Sequence, residues 1–458
     1  MNQDQINRQL AELCGTSLSR REALRRTLLG AAGLLVANKM PSPAFAAPAK
    51  PAITSAGKAK SVIQILMWGG PCHIDTFDPK PNAGSDYTGP LKTAIDTNVK
   101  GIKIGESLPM LAKQADKYSL IRSMTHHNNS HETAAYMVQT GHKAGDGQSY
   151  PCTGAVVSLF KGYDAGYKGL IPPYIVLTEP QGRFSEAGFL GNKFKPFATG
   201  GDPSQSKFTV EGVVAQGITE KRQHNRRELL KNIDSLALAM PDSPTVVATA
   251  KADEQAYELI LGDAGKVFDP TVEKDDLRDR YGKTKFGQSC LVARRLIEKG
   301  VPYVTINFQG WDSHKQHFET MRRKLPEFDK GLATLLQDLH DRGLLDTTIV
   351  AAYGEFGRTP KVQWEAPWNG GRGHYGNVFS AFVAGGGFKG GHVVGSSNDR
   401  GEEVKDRPVY PVDLIGSFYT LLGVDLAANL PHPQGLPVRV LPEPTTDMKS
   451  AGLLTEIM

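Results

Sequence analysis

The sequence predicts an α/β fold in which a central, mostly parallel sheet is flanked by helices. Three observations carry that expectation. Apolar, largely β-branched runs recur at residues 61–67, 303–308, 348–352 and 378–383. Short runs of this kind, bounded by turns, suit strands buried on both faces. Between the second and third runs, residues 319–342 place Leu325, Phe328, Leu332, Leu335, Leu336 and Leu339 at spacings of three and four, and Gly343 follows. That is an amphipathic helix with a glycine stop. A second helix over 287–299, ended by Gly300, precedes the run at 301. Strand, helix, strand is the unit from which parallel sheets are built.

The N-terminus reads as an address. Arg20-Arg21 and Arg25-Arg26 precede a short apolar stretch over 27–37, and Ala44-Phe45-Ala46 offers a small-x-small cleavage site. Together these resemble a twin-arginine signal peptide over residues 1–46, with Ala23 where phenylalanine is usual. The apolar stretch is about half of the roughly 20 residues a membrane span needs. The expectation is therefore a periplasmic or secreted protein with no integral membrane segment once processed. Residues 47–60, rich in Ala, Pro, Ser and Lys, read as a flexible lead-in.

An α/β domain is expected over 61–445 and a C-terminal tail over 446–458. Within the domain, 107–118 is a short helix candidate. Residues 150–215, rich in Gly, Pro and Phe, read as loops and short strands. Residues 219–265 read as helical, with the polar cluster 221–227 on a solvated face. The glycines at 385–387 and 390–391 lack a following Lys-Ser/Thr pair, so they are turn glycines and not a phosphate-cradling loop.

Composition excludes some classes. The net charge is +5, and residues 1–46 carry six Lys/Arg against three Asp/Glu, leaving about +2 for the rest. No nucleic-acid partner is expected from that balance. Beyond the signal, Cys72, Cys152 and Cys290 show no zinc-ribbon or thioredoxin spacing. They leave room for one disulfide whose pairing spacing does not give.

The chemistry sits in the turns. Loops at the carboxyl ends of parallel strands converge on one crevice. Here those turns hold His73 and Asp75, then Asp312 and His314, then Glu355 and Arg358, while His374 precedes the run at 378. The segment 125–133 adds His126, His127 and His131. Imidazoles and carboxylates gathered at one rim suit a divalent ion. Residues two apart in extended chain, such as Asp312 and His314, point the same way and can share an ion. Other roles exist for each. Asp312 can cap a helix beside a solvent-facing His314, and Glu355 can simply pair with Arg358. Arg358 can also hold an anionic substrate. A serine hydrolase is disfavoured, because no Gly-x-Ser-x-Gly turn joins a strand to a helix.

Several blocks carry a resemblance. Residues 68–81 (WGGPCHIDTFDPKP), 280–282, 286–296, Gly310-Trp311-Asp312-Ser313-His314, Gly354-Glu355-Phe356-Gly357-Arg358-Thr359-Pro360 and Gly371-Arg372-Gly373-His374 resemble an exported bacterial sulfatase-like family grouped with the alkaline phosphatase superfamily. The likeness spans nearly all of 61–440. It implies an alkaline-phosphatase-like sandwich with metal ligands at the strand ends. By block order Asp312 and His374 resemble ligands of one metal. The usual aspartate-to-histidine spacing of four falls on Gln316, which His314 and His317 bracket. Glu355 stands where the superfamily has a metal-binding aspartate, and Phe356 where it has the adjacent histidine or asparagine. Counting back from Thr140-Gly141 places His131 at the nucleophile position. No Cys-x-Pro-Ser-Arg sequence exists, so a formylglycine sulfatase is not expected.

The functional expectation is a metal-dependent hydrolase of phosphate or sulfate esters using metal-activated water. Its metal ligands are His73, Asp75, Asp312, His314, Glu355 and His374, and its catalytic residues are His131, Glu355 and Arg358. One or two ions, zinc or calcium, are implied. The substrate is a small anionic ester or a sulfated or phosphorylated glycan. The alternative is a non-catalytic protein on the same fold that binds such a glycan or a cell-envelope partner.

Overall fold

The computed structural model describes residues 57–145, 147–179, 186–205, 265–446 and 448–458, together with residues 208, 210, 225, 228 and 229. All of them belong to one unit of the chain, Pro51–Met458. The expected signal peptide and nearly all of the expected 219–265 helix lie outside the described residues.

Among the described residues, eight strands form the central sheet: β1 (Ser61–Leu66), β2 (Tyr118–Met124), β3 (Tyr174–Leu177), β4 (Phe197–Ala198), β5 (Tyr303–Asn307), β6 (Thr348–Tyr353), β7 (Phe379–Ala384) and β8 (His392–Val394). Their order is β8-β2-β7-β6-β1-β5-β3-β4. β1 lies in the middle, parallel to β5 on one side and β6 on the other, with Ile63 opposite both Val304 and Val350. β7 runs antiparallel to β2 and β6, while β8 is parallel to β2. The sheet is thus parallel except for β7. That reversal places the start of β7 at the rim where the other strands end.

Every residue of β1, β5, β6 and β7 is buried, as expected of strands covered on both faces. Gln64 is the buried amide within β1. Its amide donates to Tyr353 Oη at 2.6 Å and to Gln139 Oε1 at 3.1 Å, and its carbonyl accepts from Thr305 Oγ1 at 3.2 Å. A buried amide so satisfied costs little and fixes the register of its neighbours.

The principal helices are α1 (His131–Thr140), α2 (Thr153–Lys161), α3 (Lys285–Glu298), α4 (His317–Asp341) and α5 (Pro411–Leu422). α3 and α4 cover one face, where Phe286, Phe308, Trp311 and Phe328 pack together. α2 and α5 cover the other. Thr284 caps α3 by accepting from Gly287 N at 3.1 Å, and Gly343 turns the chain after α4 with φ +66.

Two expectations are corrected. Residues 107–118 hold only a single α-turn (Pro109–Ala112) and a 3₁₀ turn (Ala115–Lys117) before β2. The 150–215 region contains α2, which is buried over nearly its whole length and so has no polar stripe to betray a helical period. The segment after 446 is docked: Leu454 and Ile457 are buried in the second core, and Lys389 N donates to Ile457 O at 2.7 Å. Cys72, Cys152 and Cys290 are buried free thiols. Among the described residues, no helix is long and apolar enough to cross a membrane.

Candidate metal centre

The turn after β1 organises the rim. Gly69 and Gly70 have φ +106 and +78, a region that favours glycine. A Cβ on Gly69 would lie 2.2 Å from Asp312 N, and one on Gly70 would lie 2.4 Å from Phe356 O. The glycines therefore let this turn wedge between the loops that follow β5 and β6. Backbone bonds stitch it there: Met67 N to Tyr353 O at 2.9 Å, Trp68 N to Phe308 O and Trp311 N to Trp68 O, both at 3.1 Å. On the far side, His126 N and His127 N donate to Gly376 O, tying the loop after β2 to the segment before β7.

Four side chains meet on this frame. Asp312 Oδ1 lies 3.1 Å from His314 Nε2 and 3.2 Å from His374 Nε2. His314 Nε2 and His374 Nε2 are 2.8 Å apart. Asp312 Oδ2 lies 3.4 Å from His131 Nε2. The group is open to solvent, with the Asp312 side chain 42% exposed.

Two of the imidazoles are oriented through their Nδ1 atoms. His131 donates Nδ1–H to Glu355 Oε1 at 2.6 Å. His374 donates Nδ1–H to the Asn129 carbonyl at 2.8 Å. Each therefore presents Nε2 to the cluster, the arrangement in which histidines ligate metals. Tetrahedral coordination with metal–nitrogen bonds of about 2.0–2.1 Å spaces its donors about 3.3 Å apart. The four contacts above bracket that spacing, and one donor atom each from His131, Asp312 and His374 lie within 4.8 Å of one another. These residues fit a divalent ion.

The charges are mutually stabilised. Hydrogen bonds to Asp312 and then Glu355 push His131 up to about 9. Burial alone would raise the Asp312 carboxyl. Its bonds to His131, His374 and Arg358 outweigh that and hold it well below the usual carboxylate range. Burial lowers His314.

Several expected roles change. Glu355 does not reach the cluster as a ligand. It is fully buried, and both its oxygens accept from Gly69 N at 3.0 and 3.1 Å. It orients His131. Arg358 is equally buried. Its Nε donates to Gly69 O at 2.8 Å, its Nη1 to Arg372 O at 3.2 Å, and its Nη2 bonds Gly69 O and Asp312. It steadies Asp312 from behind and is not placed to clamp a substrate. Phe356 is buried and stacks on His374, with centroids 4.5 Å apart.

His73 and Asp75 do not join the cluster. His73 Nε2 donates to Gly401 O at 2.8 Å. Asp75 Oδ2 accepts from His317 Nε2 at 2.6 Å and pairs with Arg372 Nε at 3.1 Å. Their spacing matches that of Asp312 and His314, but the compact turn after Gly70 sends them inward. Of the two histidines bracketing Gln316, His314 faces the cluster and His317 the interior. Gln316 itself has φ +48, and α4 begins at the next residue.

The family model described as "Protein of unknown function (DUF1501)" matches residues 59–448. The chain belongs to that family. No curated protein matches it. Among solved structures, the chain is similar to the lipoteichoic acid synthase LtaP from Listeria monocytogenes, at 10% identity and TM-score 0.37, over 86% of this chain and 76% of that one. A protein in the alkaline phosphatase superfamily from Vibrio parahaemolyticus is similar at 12% identity and TM-score 0.37, over 83% and 71%. The PsFucS1 sulfatase from Pseudoalteromonas sp. is similar at 13% identity and TM-score 0.35, over 82% and 68%.

Sequence reasoning missed Asn129, whose carbonyl orients His374, and Trp68, which stacks on His131 at 5.7 Å. The family's block around Trp68 pointed to that turn. A backbone carbonyl leaves no signal in residue identity.

Proposed function

We propose that this protein is a metal-dependent hydrolase of phosphate or sulfate esters, exported by the twin-arginine route to the periplasm or beyond. The convergence of three imidazole Nε2 atoms on the Asp312 carboxylate, two of them pre-oriented through Nδ1, carries the reading. The sequence blocks shared with sulfatase-like proteins supply the ester class.

His131, Asp312 and His374 would hold the ion, with His314 Nε2 beside Asp312 and His374. Two nitrogens and a carboxylate favour zinc over calcium, which takes six to eight oxygens. With Glu355 turned inward and Phe356 apolar, the set suits one ion better than two. A bound divalent ion supplies Lewis-acid polarisation of an ester oxygen and a lowered pKa for water. The chain supplies the rest. Glu355 fixes the His131 ring, Arg358 fixes Asp312, and Phe356 and Trp68 form apolar walls. Among the described residues, no Ser, Thr or Cys side chain hydrogen-bonds to Asp312, His131, His314 or His374, which favours water as the nucleophile.

Metal analysis of the purified protein, paired with a panel of aryl phosphate and sulfate esters, tests this. Asp312→Ala and His374→Ala should release the ion and abolish turnover. A fully active metal-free protein overturns the proposal. The second reading is a non-catalytic protein that binds a sulfated or phosphorylated glycan, or a cell-envelope partner. The burial of Arg358 favours it, because that cation is not free to meet a departing anion. Any turnover that Glu355→Gln abolishes removes it.

A further inference from the structure

Behind the metal ligands lies a second, wholly buried set of polar groups. Ser313 sits between Asp312 and His314 in the chain. Its Oγ lies 2.6 Å from His317 Nδ1. The Nε2 of His317 lies 2.6 Å from Asp75 Oδ2. Asp75 pairs in turn with Arg372, through Nε at 3.1 Å and Nη2 at 3.3 Å. Asp75, His317 and Arg372 are essentially inaccessible, and Ser313 is 4% exposed.

The direction of donation follows from these contacts. Asp75 is an ionised acceptor beside a guanidinium, so His317 gives it Nε2–H. Nδ1 then carries the lone pair and accepts the Ser313 hydroxyl. Burial lowers the His317 pKa, in keeping with a neutral ring. This is a Ser-His-Asp chain, but the serine is sealed from substrate, so it is no nucleophile. It does not suit an ion of its own either. Cys72, Asp75 and His317 lie close together, but Arg372 already balances Asp75.

We infer that His317 and Ser313 are positioning residues that set the spacing of the metal ligands. Ser313 is gripped at both ends: its hydroxyl by His317, its carbonyl by Arg372 N at 3.2 Å. Arg372 lies two residues before His374 and also donates to the Tyr87 carbonyl at 2.6 Å and the Thr359 carbonyl at 2.9 Å. His317 N donates to Gly370 O at 3.2 Å. A Cβ on Gly371 would fall 1.8 Å from His314 O, so the two ligand-bearing segments touch backbone to backbone. The buried chain therefore bolts the Asp312–His314 turn to the segment that delivers His374. Without the Ser313 hydroxyl, the turn loses its inner anchor while the fold keeps the rest.

The inference rests on the metal reading, and one experiment separates the two. Zinc affinity is measured by competition with a chromophoric chelator for the unaltered protein, Ser313→Ala and Ser313→Thr, with cobalt substitution to report coordination. Partners that orient metal ligands are typically worth about 10–100-fold in affinity. Ser313→Ala should lose about 10-fold or more and shift the cobalt absorption bands, with unchanged circular dichroism. Ser313→Thr, which keeps the hydroxyl, should restore both. His317→Gln should behave like Ser313→Ala. Equal zinc affinity and identical cobalt spectra in Ser313→Ala and the unaltered protein overturn the inference alone. Absence of zinc binding in the unaltered protein overturns the metal reading and this inference with it.

Discussion

His131 Nδ1 lies 2.6 Å from the Oε1 atom of Glu355, a carboxylate with no exposed surface. A residue that looks like a metal ligand in sequence is thus, in space, the anchor of an imidazole of the cluster. Its charge is spent on the Gly69 amide and one imidazole, and that imidazole faces the cluster with its other nitrogen.

Glu355→Gln follows from that geometry. The amide keeps the size of the side chain but removes the charge that holds His131. Metal affinity should fall by about 10-fold or more while the protein stays folded. Equilibrium dialysis against zinc, alongside thermal unfolding, checks both halves.

Gly69→Ala tests the wedge. The new methyl meets the Asp312 backbone at 2.2 Å, at a φ of +106. The loop must move, and the strain should cost about 1–3 kcal/mol. Chemical denaturation should show the loss of stability. Metal binding should weaken as well, because the displaced backbone carries Asp312.

Phe328→Ala tests the support beneath the site. Phe328 is fully buried in α4, with its ring 5.8 Å from that of Trp311, the residue before Asp312. Truncation should cost about 3–5 kcal/mol. The midpoint of urea unfolding reports this directly.

His126 gives the protein an acid limit. Its Nε2–H donates to Glu355 O at 2.6 Å, and its Nδ1 accepts from Asn128 N at 3.1 Å. A proton on Nδ1 would face a donor. Burial likewise lowers its pKa, from 6.5 to about 4. The unfolded chain therefore takes up this proton first as pH falls. The contribution is fully present above about 6.5 and is lost on going toward about 4, amounting to about 3 kcal/mol. Urea unfolding at about pH 7 and about pH 4.5 should show the drop, and His126→Gln should flatten it.

Much of the rim was legible because strands and glycine turns leave strong marks. β1, β5, β6 and α4 fall close to where their apolar patterns put them, and Asp312, His314 and His374 do meet. What was hidden depends on which way a turn faces. His73 and Asp75 share the two-apart spacing of Asp312 and His314, yet Arg372 and His317, distant in sequence, claim Asp75. Nothing local distinguishes His314 from His317 until the left-handed backbone at Gln316 separates them. Glu355 was expected as a crevice ligand and Arg358 as a substrate contact, because the Gly69-Gly70 wedge that covers them belongs to another part of the chain.

The reversal of β7 has a consequence for how such a protein diversifies. The chain leaves the sheet after Tyr353 and re-enters it at Phe379 on the same side. Nothing in that excursion, which includes the half-exposed Trp364, has to cross the layers. A change of length around the exposed Trp364 would alter what lies near the cluster, while the strands of the central sheet keep their partners.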